Sequence, residues 1–202
     1  NGPLLMAAVA RAGATAIDGG IARDDHAALR AAIATGLQAD VLVLSGGVSA
    51  GDLDLVPQVL TELGVEQVFH KVRIKPGKPL FFGVARRSER NTLVFVFPGN
   101  PVSRFVGFEL FVRTALDRVS GLHVAGRETI RATLTAAFRH RGDRPTYFPV
   151  RLIASDAITT AEPLDWRGSA DLRSVAVADG LACFQAGDYE LDAGSEISVL
   201  RV

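Results

Sequence analysis

Two short apolar runs in this chain each end in a tight turn that opens a helix. Val41 to Leu44 leads into the glycine-rich stretch Ser45 to Asp52, and Leu93 to Phe97 leads into the turn Pro98 to Pro101. A short run that is apolar at every residue is typical of a strand covered on both faces. Because helices that join such strands pack on the faces of one sheet, the pattern predicts an α/β fold with a mostly parallel sheet and helices on both faces.

The rest of the chain divides at about Gly121. Before it, we expect helices over 3–12, 24–36, 53–63 and 101–119, and further strands over 14–17, 67–74 and 80–84, the second of which places Lys71 on a strand. After it, short alternating runs are separated by Gly, Asp and Pro, as in 129–135, 149–153 and 196–202. The sequence therefore predicts an α/β domain over 1–121 and a small all-β, barrel-like domain over 122–202.

Composition narrows the class of partner. The 202 residues carry 22 basic and 22 acidic side chains, so no net charge favours a nucleic acid or an anionic membrane surface. No apolar run approaches the roughly 20 residues that span a bilayer. A single cysteine, Cys183, cannot form an internal disulfide, which favours a reducing compartment such as the cytoplasm. A small-molecule partner is the expectation.

The two turns are candidate anion-binding sites. In open α/β sheets ligands bind at the carboxyl ends of the strands, where backbone amides and a helix N-terminus hold phosphate. Gly46, Gly47 and Asn100 belong to these turns, and Ser49 and Ser103 would add hydroxyl donors. The alternative is that the glycines serve turn geometry alone and the serines cap helices. Two such turns on one chain suggest a phosphorylated ligand.

Four aspartates follow the strand ends. They are Asp24, Asp25, Asp52 and Asp54. Carboxylates beside bound phosphate usually mean Mg²⁺, which takes one or two of them. Helix capping is the alternative and explains one member of each pair, but it accounts less easily for Asp54 among apolar neighbours.

Lysine is confined to one segment of the chain. Nineteen of the 22 basic residues are arginine, and the three lysines are Lys71, Lys75 and Lys78. Two prolines stiffen the loop from Lys75 to Pro79, which would hold compact ammonium groups in fixed directions. Chance in a basic hairpin is the alternative. The segment predicts a site for an oxyanion, which can only accept hydrogen bonds.

Three segments now carry a specific resemblance: SGGVSAGDLD at 45–54, KVRIKPGKPL at 71–80 and FPGNPVSRFVGFELFVRTAL at 97–116, with IARDD at 21–25 and DLRSVAVADGLACF at 171–184 also fitting in order. With them the chain resembles the molybdopterin molybdenumtransferase family, the group of MoeA and the gephyrin E domain. That family inserts molybdate into the dithiolene of adenylylated molybdopterin and releases AMP, with Mg²⁺. The resemblance implies the same reaction, substrates and cofactor here.

The resemblance also implies roles for matching positions. Its functional acids and lysines correspond to Asp24, Asp54, Lys71 and Lys75, of which the two aspartates would hold Mg²⁺. Its oxyanion pocket corresponds to Lys78, Pro79, Ser49 and Ser103, alongside the turn residues Gly46, Gly47 and Asn100. Further candidates in the β domain are Arg144, Ser169 and Ser174, although Pro149 and Asp171 depart from the family pattern around them. Molybdate is expected to bind between the lysine loop and the second turn.

The family's members are longer than this chain. The resemblance implies that the chain begins after the family's first strand, and that the full enzyme is a homodimer with a molybdopterin adenylyltransferase as a possible partner. As a fragment, the chain is expected to be inactive alone. The alternatives are a truncated relative that binds without turnover, a non-catalytic scaffold, or a molybdopterin adenylyltransferase. The turn Gly46 to Ser49 and the appended β domain argue against the adenylyltransferase.

Overall fold

A computed structural model describes residues 1–48, 55–88, 90–155 and 158–202. In its first part the helices are α1 (Gly2–Arg11), α2 (His26–Gly36), α3 (Leu55–Glu62), α4 (Pro101–Gly107) and α5 (Arg113–Val119), with a π-helical turn, Phe108–Val112, joining α4 to α5. The strands of this part are β1 (Val41–Ser45), β2 (Val65–His70), β3 (Phe81–Arg86) and β4 (Asn91–Phe97).

These strands form one sheet in the order β1, β4, β3, β2. β1 and β4 are parallel, whereas β3 is antiparallel to both β4 and β2. The α/β class is confirmed, but the prediction of a mostly parallel sheet is wrong, because the sheet is mixed. The physical reason is connection length: only residues 87–90 join β3 to β4, and a parallel pair needs a crossover of roughly a dozen residues or more.

Helices cover both faces of the sheet. Along β4, Val94 and Val96 point to the side of α2 and α3, and Phe95 and Phe97 point to the side of α1, the π-helical turn and α5. This period of two explains why β4 is apolar at nearly every residue. The apolar clusters on the two faces of the sheet hold β4 in place, and so they position the turn that follows it.

Two local predictions fail. Residues 14–17 form no strand and pair with no described strand, so β1 is the outermost strand on its side of the described sheet. Ile17 is accordingly 78% exposed. Lys71 does not lie on a strand either. β2 ends at His70, and Lys71 has a φ of 71°, which is incompatible with an extended ladder.

The second part of the chain contains β5 (Thr129–Leu134), β6 (Phe138–His140), β7 (Thr146–Ala154), β8 (Thr159–Pro163), α6 (Leu172–Ala176), β9 (Gly180–Phe184), β10 (Tyr189–Leu191) and β11 (Glu196–Arg201). Strands β11, β5, β8, β7 and β9 close into a barrel around a core that includes Leu134, Val150 and Phe184, and β6 pairs with β10. The domain boundary at residue 121 stays a prediction. Across the described ranges, none of the helices has the length and apolar character needed to cross a membrane.

The sheet and the barrel share an apolar cluster. Ile74, Val102 and Phe105 from the first part pack with Val175 and Leu181 from the second. This contact brings the loop after β2 and the start of α4 against the barrel, at the edge of the sheet where β1 and β4 end.

Candidate active site

The first glycine turn lies beside the end of β4. Ser45 pairs with Phe97, and the Gly46 amide donates to the Phe97 carbonyl at 2.8 Å. Gly47 has a φ of 71°, and a Cβ at this position would collide with the Val56 side chain. Glycine is therefore required here by geometry, and the two turns share one edge of the sheet. The predicted site residues Ser49 and Asp54 lie outside the described residues.

The second turn is joined to the barrel. Asn100 is the N-cap residue of α4, but its side chain does not cap the helix. Instead its Nδ2 donates to Ser169 Oγ at 3.0 Å, and the Val102 amide donates to the Ser169 carbonyl at 3.1 Å. Ser103 is buried in the first turn of α4. The structure thus brings Asn100 and Ser169 together, as neighbours of Ser103.

The loop of residues 71–80, which we call the lysine loop, joins β2 to β3 at the same edge. The Lys71 amide donates to the Leu80 carbonyl at 2.8 Å, and the Val72 amide donates to the Lys78 carbonyl at 2.9 Å. These bonds close the loop, and Lys71, Lys75 and Lys78 are all exposed on it. A left-handed backbone at a lysine costs about 1–3 kcal/mol, and such strain is concentrated at functional sites.

The barrel fixes the backbone of Lys75. Its amide donates to the Pro145 carbonyl at 2.8 Å, and its carbonyl accepts from the Tyr147 amide at 2.8 Å. Arg144 Nη1 donates to the Ile74 carbonyl at 3.2 Å. The predicted candidate Arg144 therefore reaches the lysine loop, and the barrel holds the loop in one position.

The lysine loop also lies against the second turn. Gly77 is buried with a φ of 113°, and a Cβ there would lie 3.4 Å from the Ser103 carbonyl oxygen. Lys78 and the half-buried Pro79 follow directly. The first turn, the second turn and the lysine loop therefore lie at the same end of the sheet, and all three lysines of the loop are exposed there.

Two predicted site residues stand apart from this group. Ser174 Oγ donates to the Asp165 carbonyl and to Asp171 Oδ2, so its hydroxyl serves the cap of α6. This bond holds the pKa of the Asp171 carboxyl below its usual range. Asp24 is exposed, and nearby His26 contacts Glu62 at the end of α3, at 2.8 Å. No described contact brings Asp24 to the lysine loop.

The described residues contain no group of three His, Cys, Asp or Glu side chains that would hold a metal ion. Asp25 caps α2 by accepting from the Ala28 amide at 2.8 Å, which gives this carboxylate a role in the helix. Mg²⁺ needs only one or two carboxylates besides substrate phosphate, so an Asp24 and Asp54 donor set fits its chemistry. That pairing stays a prediction.

Sequence reasoning missed Arg104. This residue follows Ser103 and has a relative exposure of 0%. Its Nε donates to the Pro98 carbonyl at 3.3 Å, and its Nη2 donates to the Gly99 carbonyl. The sequence carries no clear signal for it, since the helix predicted over 101–119 contains other charged residues such as Glu109 and Arg113.

Comparisons with known proteins agree with this geometry. Residues 1–118 match the family model of a probable molybdopterin binding domain, and residues 131–202 match that of the MoeA C-terminal region (domain IV). The chain belongs to the molybdopterin molybdenumtransferase family. The resemblance found in the sequence is confirmed.

Curated members of the molybdopterin molybdenumtransferase family align along most of the chain. The one from Synechocystis is 36% identical over 160 residues, which are 75% of this chain and 37% of the relative. One from Staphylococcus aureus is 26% identical over 204 residues, which cover 99% of this chain and 47% of the relative. The chain spans about half the length of the curated relatives it matches.

Solved structures show the same fold. The molybdopterin biosynthesis MoeA protein of Pyrococcus horikoshii aligns with a TM-score of 0.79 and 33% identity, over 100% of this chain and 47% of that one. A molybdenum cofactor biosynthesis protein of Pyrococcus furiosus aligns with a TM-score of 0.75 and 25% identity, over 100% and 64% of the two chains. The arrangement of sheet and barrel is thus that of the molybdopterin molybdenumtransferase family.

Proposed function

We propose that the protein acts in molybdenum cofactor biosynthesis and inserts molybdate into adenylylated molybdopterin, with release of AMP. One observation carries the proposal: three exposed lysines lie on a loop whose backbone is hydrogen-bonded to the barrel and lies close to the start of α4, after the second turn. A site built in this way favours a small oxyanion flanked by a phosphorylated ligand. The similarity to molybdopterin molybdenumtransferases supports the same chemistry.

In this proposal Lys75 and Lys78 bind and polarise molybdate. Molybdate is a tetrahedral dianion that only accepts hydrogen bonds, so fixed cations suit it. The Pro145 and Tyr147 contacts hold the Lys75 backbone in place before the ligand binds. Such preorganised charge costs little reorganisation at the moment of reaction.

The turns and the remaining candidates would bind the nucleotide-bearing substrate. Gly46, Gly47 and Asn100 belong to the turns at this end of the sheet, Ser169 bonds to Asn100, and Arg144 donates to the lysine loop. Lys71 stands at the start of that loop as a further cation. Ser103 and Pro79 would instead complete the molybdate pocket beside Lys78. Ser49 would add a hydroxyl donor to the molybdate pocket from the first turn. Ser174 is the weakest candidate because its hydroxyl already serves α6.

Mg²⁺ is part of the proposal as the metal held by Asp24 and Asp54. When bound, it would neutralise charge on the phosphate that leaves with AMP. We also propose a homodimer, a molybdopterin adenylyltransferase as the supplier of substrate, and action in the cytoplasm. The balanced charge of the chain supports a small-molecule substrate in preference to nucleic acid.

Molybdate binding tests the proposal. Calorimetry should show that the wild-type protein, purified as its gene encodes it, binds molybdate, and that Lys75→Ala and Lys78→Ala each weaken binding by about tenfold or more. Arg86→Ala is the matched control, since Arg86 is an exposed cation that pairs with Glu66 at the opposite edge of the sheet. Retained dimerisation without molybdate or AMP binding would instead favour a scaffolding relative.

A further inference from the structure

Arg104 is a buried cation under the second turn. Its side chain is fully enclosed, and burial lowers the pKa of its guanidinium. Two of its nitrogens donate to the carbonyls of Pro98 and Gly99, and the Gly99 carbonyl also accepts from Asn1 Nδ2 at 3.3 Å. The third nitrogen, Nη1, is buried and has no hydrogen-bond partner.

The charge of Arg104 has no counter-ion among the residues that the structure describes. Other enclosed or half-enclosed arginines do have one: Arg127 lies 2.5 Å from Glu109, and Arg113 lies 3.1 Å from Asp117. A buried charge without a counter-ion destabilises a fold. Retaining one beside a candidate anion site indicates that a bound anion completes the charge balance.

The hydrogen bonds of Arg104 also orient the second turn. Both bonds draw carbonyl oxygens towards the guanidinium. In a trans peptide the N–H points away from the C=O of the same unit, so the amides of Gly99 and Asn100 point away from Arg104. Within the described ranges neither amide donates a hydrogen bond, and both residues are exposed.

We propose that Arg104 is a positioning residue that aims the amides of Gly99 and Asn100 at an oxyanion oxygen and supplies a buried positive charge behind them. Gly77 of the lysine loop lies close to the carbonyl of Ser103, so the lysine loop approaches the helix that carries Arg104. The low dielectric around the guanidinium strengthens its attraction for the anion. The inference rests on the proposed function and adds a residue that the family resemblance does not assign.

The oxyanion has two possible sources, molybdate and the nucleotide phosphate, and binding experiments separate them. Molybdate alone and AMP alone are titrated into wild type, Arg104→Met and Arg104→Lys, with Arg86→Met as the control on an exposed arginine. Arg104→Met should weaken the binding of one of the two anions by about tenfold or more. The anion whose binding is weakened is the one whose oxygen accepts from the Gly99 and Asn100 amides. Arg104→Lys keeps the charge but loses the planar guanidinium. Its affinity for the anion should lie between those of Arg104→Met and wild type.

Thermal unfolding distinguishes this role from a merely structural one. Without ligand, Arg104→Met should unfold at or above the wild-type temperature because an uncompensated buried charge is gone, while the rise in Tm on adding the anion is lost. If Arg104→Met does not fold, the affinity of Arg104→Lys tests the proposal instead. Weakened binding is expected, and unchanged binding would contradict the proposal. Unchanged affinity for both anions in Arg104→Met overturns this inference alone, whereas a wild type that binds neither anion overturns the proposed function with it.

Discussion

At the scale of single residues, the use of lysine in place of arginine indicates which kind of ligand the chain binds. Lysine carries a compact charge with three rotatable donors, whereas arginine presents a planar fork. The chain uses arginine at nineteen positions and lysine at three, all within the lysine loop. All three are exposed, and in the described structure none forms an ion pair, so their charge is available to a ligand.

Replacing Lys75 by arginine should therefore impair the protein although the charge is kept. We expect a rise of about tenfold in the KM for molybdate, because the larger guanidinium does not fit the position of the ammonium. Steady-state kinetics on Lys75→Arg check this, with Arg86→Lys as the reverse exchange at a remote position. An unchanged KM would mean that only the charge of residue 75 matters.

Gly77 shows how one residue without a side chain sets the position of the lysine loop. Alanine at this position would have a left-handed backbone and a Cβ 3.3 Å from Ile74 Cδ1 and 3.4 Å from the Ser103 carbonyl. We expect Gly77→Ala to lower the free energy of unfolding by about 1–3 kcal/mol and to weaken molybdate binding. Urea denaturation measures the first effect, and Gly19→Ala, which meets no atom within 4 Å, should leave stability nearly unchanged.

At the scale of elements, the helix that follows the second turn is held at its middle. The π turn Phe108–Val112 carries Glu109, which is buried and accepts from Arg127 Nε at 2.5 Å. Arg127 lies in the connection from α5 to β5, so this ion pair ties the helix to the segment that enters the barrel. Single-turn π segments inside α-helices are frequent at functional sites.

Breaking the Arg127–Glu109 pair should lower stability strongly only when one of the two charges is left buried without its partner. Arg127→Met leaves Glu109 buried without its partner and should lower the free energy of unfolding by about 3 kcal/mol or more. The double variant Arg127→Met with Glu109→Leu should recover most of that loss, as chemical denaturation will show. A double variant as unstable as the single one would contradict this account of the pair.

At the scale of the whole molecule, the sequence predicts correctly the α/β class, the turn that follows β4 and the described start of the turn that follows β1, because their signals are local. The sheet order was not predicted, because the strands expected at 80–84 and 93–97 were not paired with each other, although their short connection permits only an antiparallel pair. The role of the barrel escaped it for a related reason. The contacts from Pro145 and Tyr147 to Lys75 join residues about 70 positions apart, and no local pattern encodes them.

Arg104 escaped for a different reason. Its sequence context is that of an ordinary helix, and only the structure shows that it is enclosed and faces the carbonyls of the second turn. Asp54 and Ser49 lie outside the described residues, so their roles rest on the resemblance. The lysine loop, by contrast, was recognisable from composition alone.

Release of AMP from adenylylated molybdopterin tests the central claim most directly. The protein, purified as its gene encodes it, is incubated with this substrate and Mg²⁺, with and without molybdate, and AMP is quantified for wild type, Lys75→Ala and the control Arg86→Ala. The account predicts molybdate-dependent AMP release by wild type and Arg86→Ala, and its collapse in Lys75→Ala. Absence of release by the wild type, or equal release by Lys75→Ala, would contradict it.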